Sequence, residues 1–183
     1  MQSFANKRAV ITGAGSGIGR ALAHALSRQG CHVILSDIDQ GSLETVRADL
    51  IKSSYHQDLT TKTFVANVSD YEQMKAFAFF VESEFGKVDL LINNAGIGLG
   101  AFFQDCSLKD MQELFDTNFW GVVYGCKVFL PLLERADEGH IVNISSVLGL
   151  VSGPRVSAYC SSKFAVRGFS DSLRHDFRLI GNR

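Results

Sequence analysis

Proline is scarce in this chain: Pro131 and Pro154 are the only two among 183 residues, so long segments are free to run as helix or strand. The four cysteines, Cys31, Cys106, Cys126 and Cys160, stand apart with no C-x-x-C pair. That spacing argues against a disulfide framework or a zinc site and predicts free thiols in a reducing, cytoplasmic setting. The five histidines, His24, His32, His56, His140 and His175, show no ligand spacing, so no metal is expected. No apolar run approaches the roughly 20 residues of a membrane span, and the N-terminus carries no signal-peptide core. The formal net charge is −1 and no run of lysine or arginine occurs. Neither nucleic acid nor an anionic membrane is therefore an expected partner.

What is present is alternation. Short apolar runs at Ala9–Ile11, His32–Leu35, Thr63–Ala66, Val88–Ile92 and His140–Ile144 read as strands. Between and after them lie amphipathic segments at Ile18–Arg28, Ser42–Ile51, Tyr71–Phe85, Leu108–Leu133 and Ala158–Leu179, which read as helices. Near-continuous Val/Ile/Leu strands predict burial on both faces, and strict strand–helix alternation predicts a parallel sheet. The expected fold is an α/β, doubly wound sheet in a single domain over residues 1–183, without linker, repeat or low-complexity segment.

The chemistry gathers where strands end. Thr12-Gly13-Ala14-Gly15-Ser16-Gly17-Ile18-Gly19 joins the first strand to the first helix. Glycines at such a junction let the backbone turn sharply and approach a pyrophosphate held by the helix N-terminus, although a glycine turn can also be purely structural. Asp37, about 20 residues beyond, ends the second strand where an acid accepts from an adenosine ribose; Asp39 competes for that role, and either could instead cap a helix. A carboxylate there repels a 2′-phosphate and favours NAD over NADP. Asn93-Asn94-Ala95-Gly96 closes the fourth strand at the edge where open sheets bind ligands. Asn118 falls inside a helical segment, facing either solvent or a backbone group it competes for.

Tyr159 and Lys163 stand four apart on the last helix, hence on one face. An ammonium at about 5 Å, at an effective dielectric of about 20, favours the phenolate by roughly 3 kcal/mol. That would draw the phenol toward proton exchange with an alcohol or ketone. A packed ring beside a snorkelling lysine is the alternative.

In this order, Thr12-Gly13-x-x-x-Gly17-x-Gly19, Asn93-Asn94-Ala95-Gly96, Asn118, Ser146 and Tyr159-x-x-x-Lys163 resemble the short-chain dehydrogenase/reductase family, from Lys7 to about Phe177. The resemblance implies a Rossmann sheet of order 3-2-1-4-5 and hydride transfer between nicotinamide and an alcohol or ketone. It implies Tyr159 as acid/base, with Lys163 lowering its pKa and holding the nicotinamide ribose. Ser146, chosen over Ser145 by its spacing to Tyr159, would orient the substrate oxygen, and Asn118 would bind a water linking Lys163 to solvent. Gly13, Ser16, Gly17, Ile18, Gly19, Asp37, Asn67, Val68, Asn94, Ala95 and Gly96 would hold the cofactor. Asn67 stands where many relatives carry aspartate near the adenine.

Relatives continue into sixth and seventh strands and a substrate lid, so the resemblance predicts a C-terminally incomplete domain and an unpaired fifth strand. Helices over Met111–Leu133 and Ala158–Leu179 pair subunits in the family, which predicts a homodimer or homotetramer. The loops Ile97–Phe103 and Val147–Ser152 are mostly apolar and lack charge, which favours a lipophilic secondary alcohol or ketone. A non-catalytic NAD-binding or dimerisation module is the main alternative. A sugar-nucleotide epimerase is disfavoured by the glycine spacing and by Asn93–Gly96.

Overall fold

Three strands with buried side chains on both faces make the middle of the sheet. They are β1 (Arg8–Thr12), β2 (His32–Asp37) and β4 (Leu90–Asn93) in a computed structural model that describes residues 1, 3–53 and 58–179. His56 and the terminal Asn182-Arg183 lie outside the described residues. Alternate side chains of a strand face opposite ways, and the core divides accordingly. Ala9, Ile11, Val33, Leu35, Leu90 and Ile92 pack against α1 (Gly17–Arg28) and α2 (Gln40–Ser53). Val10, Ile34 and Leu91 pack on the other face, against Met74 and Phe77 of α3 (Tyr71–Phe85) and Phe129 of α5 (Gly121–Leu133).

All pairings are parallel and the order is β3-β2-β1-β4-β5, with β3 at Thr61–Val65 and β5 at His140–Asn143. The doubly wound expectation is met. Burial on both faces, however, fails at the two edges. β3 is half-exposed along most of its length, and in β5 His140 and Val142 are exposed, Val142 by 41%. An edge strand has a neighbour on one side only, so it is covered less completely.

The helix expected from Leu108 to Leu133 is three pieces. α4 (Leu108–Phe115) is followed by a π turn at Asp116–Trp120 and then by α5. The π turn carries the fully buried Asn118. The last helix, α6, spans Ser157–Leu179, and its Val166 packs with Val122 and Cys126 of α5. No helix among the described residues is long and apolar enough to cross a membrane.

At the N-terminal edge of the sheet, Asp89 is 1% exposed. Its Oδ2 accepts from the backbone N–H of Arg8 at 2.9 Å and from the Arg8 guanidinium at 3.2 Å, and Lys7 Nζ lies 3.7 Å from its Oδ1. This cluster ties β1 to the start of β4. Removing one partner of a buried pair strands the other. Asp89→Ala is therefore expected to lower unfolding free energy by about 3 kcal/mol, at the low end because both cations keep some water. Urea denaturation measures it, and a loss below about 1 kcal/mol would show the cluster to be ornamental.

Candidate active site

Two glycines of the first turn are held left-handed, Gly13 at φ 64° and Gly17 at φ 52°, a conformation L-residues avoid. Gly19 does a different job. A Cβ there would strike the carbonyl oxygen of Gly13 and lie 2.6 Å from Asn94 Nδ2. Ser16 stands at the N-cap of α1 but makes no side-chain cap bond. The first N–H groups of α1 thus lack a side-chain cap at the end of the helix where an anion is favoured.

The end of β4 is laced to that turn. Asn94 Nδ2 donates to the carbonyls of Thr12 and Gly13, each at 3.0 Å. Thr12 Oγ1 accepts from the N–H groups of Asn94 (3.1 Å) and Ala95 (3.2 Å). Asp37 supplies the third tie, its Oδ2 accepting from Gly15 N–H at 2.9 Å. Asp39, the competing acid, caps α2 instead, accepting from Ser42 N–H at 2.7 Å. Asn67 folds onto its own loop, its Oδ1 accepting from both the N–H and the hydroxyl of Ser69.

On α6, Lys163 is 4% exposed and its Nζ donates to the Ile144 carbonyl at the end of β5, at 3.0 Å. Nζ lies 5.8 Å from the centre of the Tyr159 ring. Burial pushes the Lys163 pKa below its usual 10.5, because an ammonium loses hydration there.

The two serines divide their work. Ser145 donates its hydroxyl to the Lys163 carbonyl at 3.0 Å. Ser146 Oγ accepts from Leu148 N–H at 3.1 Å, capping the short turn Val147–Gly149, and nothing among the described residues takes its proton. Asn118 is saturated through its side chain: Oδ1 accepts from Ile97 N–H at 2.8 Å, and Nδ2 donates to the Ile97 carbonyl at 2.9 Å and to Ser162 Oγ at 3.3 Å. Its amide thus pins the loop after β4.

These groups surround a cleft of about 570 Å³ at the carboxyl ends of the strands. Among its lining residues are Gly13, Ser16, Gly17, Ile18, Asp37 and Asn67, together with Val68, Asn94, Ala95, Gly96, Tyr159 and Lys163. Of the expected residues, Gly19, Asn118 and Ser146 are not among the lining groups. Gly19 and Asn118 support the walls from behind. A dinucleotide fits this donor set: an uncapped helix start, a glycine turn and one carboxylate across from a buried lysine.

Ser162 is a site residue that the sequence reading passed over. It is fully buried, and its hydroxyl donates to the Tyr159 carbonyl at 2.8 Å while accepting from Asn118. A small polar residue between Tyr159 and Lys163, facing the same side as the helix packing, was the available signal. Ile144, Ser145 and Thr117 also line the cleft and were not singled out for it.

Comparison with known proteins agrees with this geometry. A model of the family described as short chain dehydrogenase matches residues 7–181. SadH of Mycobacterium tuberculosis is 44% identical over 176 residues, which is 96% of this chain and 62% of SadH. Human epidermal retinol dehydrogenase 2 is 38% identical over 173 residues, 94% of this chain and 55% of that protein. The chain thus spans less than two thirds of either relative. Among solved structures, a Burkholderia phymatum short chain dehydrogenase/reductase in complex with NAD superposes with a TM-score of 0.92. It is 39% identical, and the match covers 98% of this chain and 63% of that one. An alcohol dehydrogenase from Thermococcus sibiricus, complexed with 5-hydroxy-NADP, gives 0.88 at 30% identity, covering 93% and 71%.

Proposed function

Because the chain belongs to the short-chain dehydrogenase family, we propose that it is an oxidoreductase moving a hydride between a nicotinamide cofactor and a secondary alcohol or its ketone. The observation that carries this reading is that Tyr159 and Lys163 open onto the same cleft as Gly13, Gly17 and Asp37. When bound, the nicotinamide supplies the hydride chemistry. The chain's own residues handle the proton. The Tyr159 phenol exchanges it with the substrate oxygen, and the Lys163 ammonium stabilises the phenolate that results. Ser146 is the serine suited to donate to the substrate oxygen, since its proton is uncommitted while that of Ser145 is held by the Lys163 carbonyl. Asn118 and Ser162 hold α6 and the loop after β4 in position around that proton.

The cofactor reading is NAD. Asp37 brings a carboxylate to the cleft, and Arg20, the first cation after the glycine turn, is taken by Asp49 at 2.8 Å. A 2′-phosphate would meet repulsion from that carboxylate, while the cation next to the turn is engaged elsewhere. Asp37→Ala is expected to shift the NADH-to-NADPH affinity ratio toward NADPH by about tenfold or more, equivalent to about 1.4 kcal/mol. Fluorescence titration with both cofactors reads it. A wild-type preference for NADPH would overturn the assignment.

The substrate reading is a lipophilic alcohol or ketone. Ile97, Phe102, Phe103, Val147, Leu150 and Val151 leave apolar surface exposed on the two loops, and one relative is named for retinol, a lipophilic alcohol. Leu108, Trp120 and Phe164 expose further apolar surface on the helical side, consistent with a homodimer or homotetramer. The test is NAD titration followed by a panel of secondary alcohols. Binding of NAD with no turnover above a Tyr159→Phe background would make the chain a nucleotide-binding module instead.

A further inference from the structure

The two loops that flank Tyr159 meet at one point. The segment after β4 and the segment before α6 are joined by a backbone bond from Ala101 N–H to the Arg155 carbonyl, at 2.8 Å. At the same place the Arg155 guanidinium sits over the Phe102 ring, 5.0 Å from its centre. Arg155 is held at φ 65°, one of two non-glycine residues in the left-handed region among the described residues. An L-residue adopts that conformation only where its surroundings impose it, and such residues gather at binding and switching sites. Phe102 itself is 53% exposed, so its ring is not held by burial in the core. A guanidinium stacked on an aromatic face supplies a hold that exposed apolar packing does not.

The geometry points to Arg155 and Phe102 as a specificity-determining clasp, which joins the two loops into one wall beside the proton-transferring tyrosine. The inference rests on the dehydrogenase reading and adds to it the residues that set how large an alcohol is accepted. The mechanical link is short. Arg155 precedes Tyr159 by four residues, and α6 begins only two residues beyond it, at Ser157. On the other side, Ala101 follows Ile97 by four residues, and Ile97 lines the cleft with both backbone groups fixed by Asn118. A displacement at the clasp is therefore transmitted to the wall between two fixed points, Ile97 and Tyr159. With the clasp closed the wall stands near the tyrosine, and a small substrate is held well. With it open the wall retreats, which favours a bulky substrate over a small one.

Arg155→Gly tests this without adding backbone strain, because glycine accepts the left-handed conformation and keeps the carbonyl for Ala101. Phe102→Ala removes the other half, and Arg155→Lys restores a cation over the ring. Turnover of cyclohexanol and of a steroid-sized secondary alcohol with NAD is compared. The expected result is a shift of at least fivefold in the ratio of kcat/KM toward the bulky alcohol in Arg155→Gly and Phe102→Ala, largely reversed in Arg155→Lys. An equal loss on both alcohols, or an unchanged ratio, would overturn the clasp. If the wild type turned over neither alcohol, the dehydrogenase reading itself would be what failed. Amide hydrogen exchange then still decides the clasp: Ala101 should exchange at least tenfold faster in Phe102→Ala, and unchanged protection would refute it.

Discussion

Tyr159→Phe is expected to lower kcat for alcohol oxidation by about a thousandfold, within the range that general acid–base groups contribute. The substitution removes one hydroxyl from a half-buried ring and leaves the backbone of α6, including the Ser162 bond to the Tyr159 carbonyl, in place. Nucleotide affinity and thermal midpoint should therefore stay close to those of the wild type. This separates lost proton transfer from lost structure. A residual activity above about a tenth of the wild type would move the acid/base role elsewhere. The neighbouring lysine adds a pH signature. Burial holds the Lys163 pKa below the ordinary lysine value of 10.5. Raising the pH through that lowered pKa discharges the ammonium, and activity should fall on the alkaline side earlier than a solvated lysine would dictate. Stability moves in the opposite sense. The cost of burying the charge is full below the folded-state pKa and is relieved as the pH rises toward the unfolded value.

Gly19→Ala is the second large effect. The added methyl would enter the space where the Asn94 amide meets the Gly13 carbonyl, the contact that laces β4 to the glycine turn. Neither neighbour is the free end of a flexible chain. One is backbone, and the other is an amide held by two carbonyls. Overpacking costs about 1–3 kcal/mol, and a displaced hydrogen bond adds about 1 kcal/mol, so a loss near 3 kcal/mol is expected. Nucleotide affinity is expected to fall with it, because the turn proposed to approach the pyrophosphate is the part displaced. Gly98→Ala is the control: nothing lies within 4 Å of a Cβ there, and its effect should stay within about 0.5 kcal/mol. Equal behaviour of the two variants in urea denaturation would refute the argument.

The central strands were legible because burial on both faces demands apolar runs, and Ala9–Ile11, His32–Leu35 and Val88–Ile92 supply them. β3 was legible only in outline, since an edge strand admits Thr61 and Lys62, which carry no such signal, whereas β5 begins at His140 as the sequence predicts. Asp37 was favoured by its place at the strand end, with Asp39 as its competitor. What separates them is the direction each carboxylate faces, one toward the glycine turn and one toward the first turn of α2. Ser146 was chosen over Ser145 by its spacing to Tyr159 in the family pattern; what the structure adds is that successive residues at a strand end point to opposite sides. Asn118 was visible as a polar residue inside a helical pattern. Its actual partner, Ile97, lies 21 residues away, and no local pattern could name it.

The π turn at Asp116–Trp120 has a consequence beyond the burial of Asn118. One added residue advances the helical phase by about 100°. α4 and α5 are thus a single rod whose two halves are indexed differently: α4 addresses α6, whereas α5 addresses α3 and β4 and still reaches Val166 of α6 through Val122 and Cys126. An unbroken α-helix would carry the stripe of α4 onward at its own phase, and the face that meets α3 and β4 would be turned away by about that angle. The turn works as a phase coupler. It lets the rod that packs the sheet also support the helix bearing Tyr159, with its buried asparagine at the step.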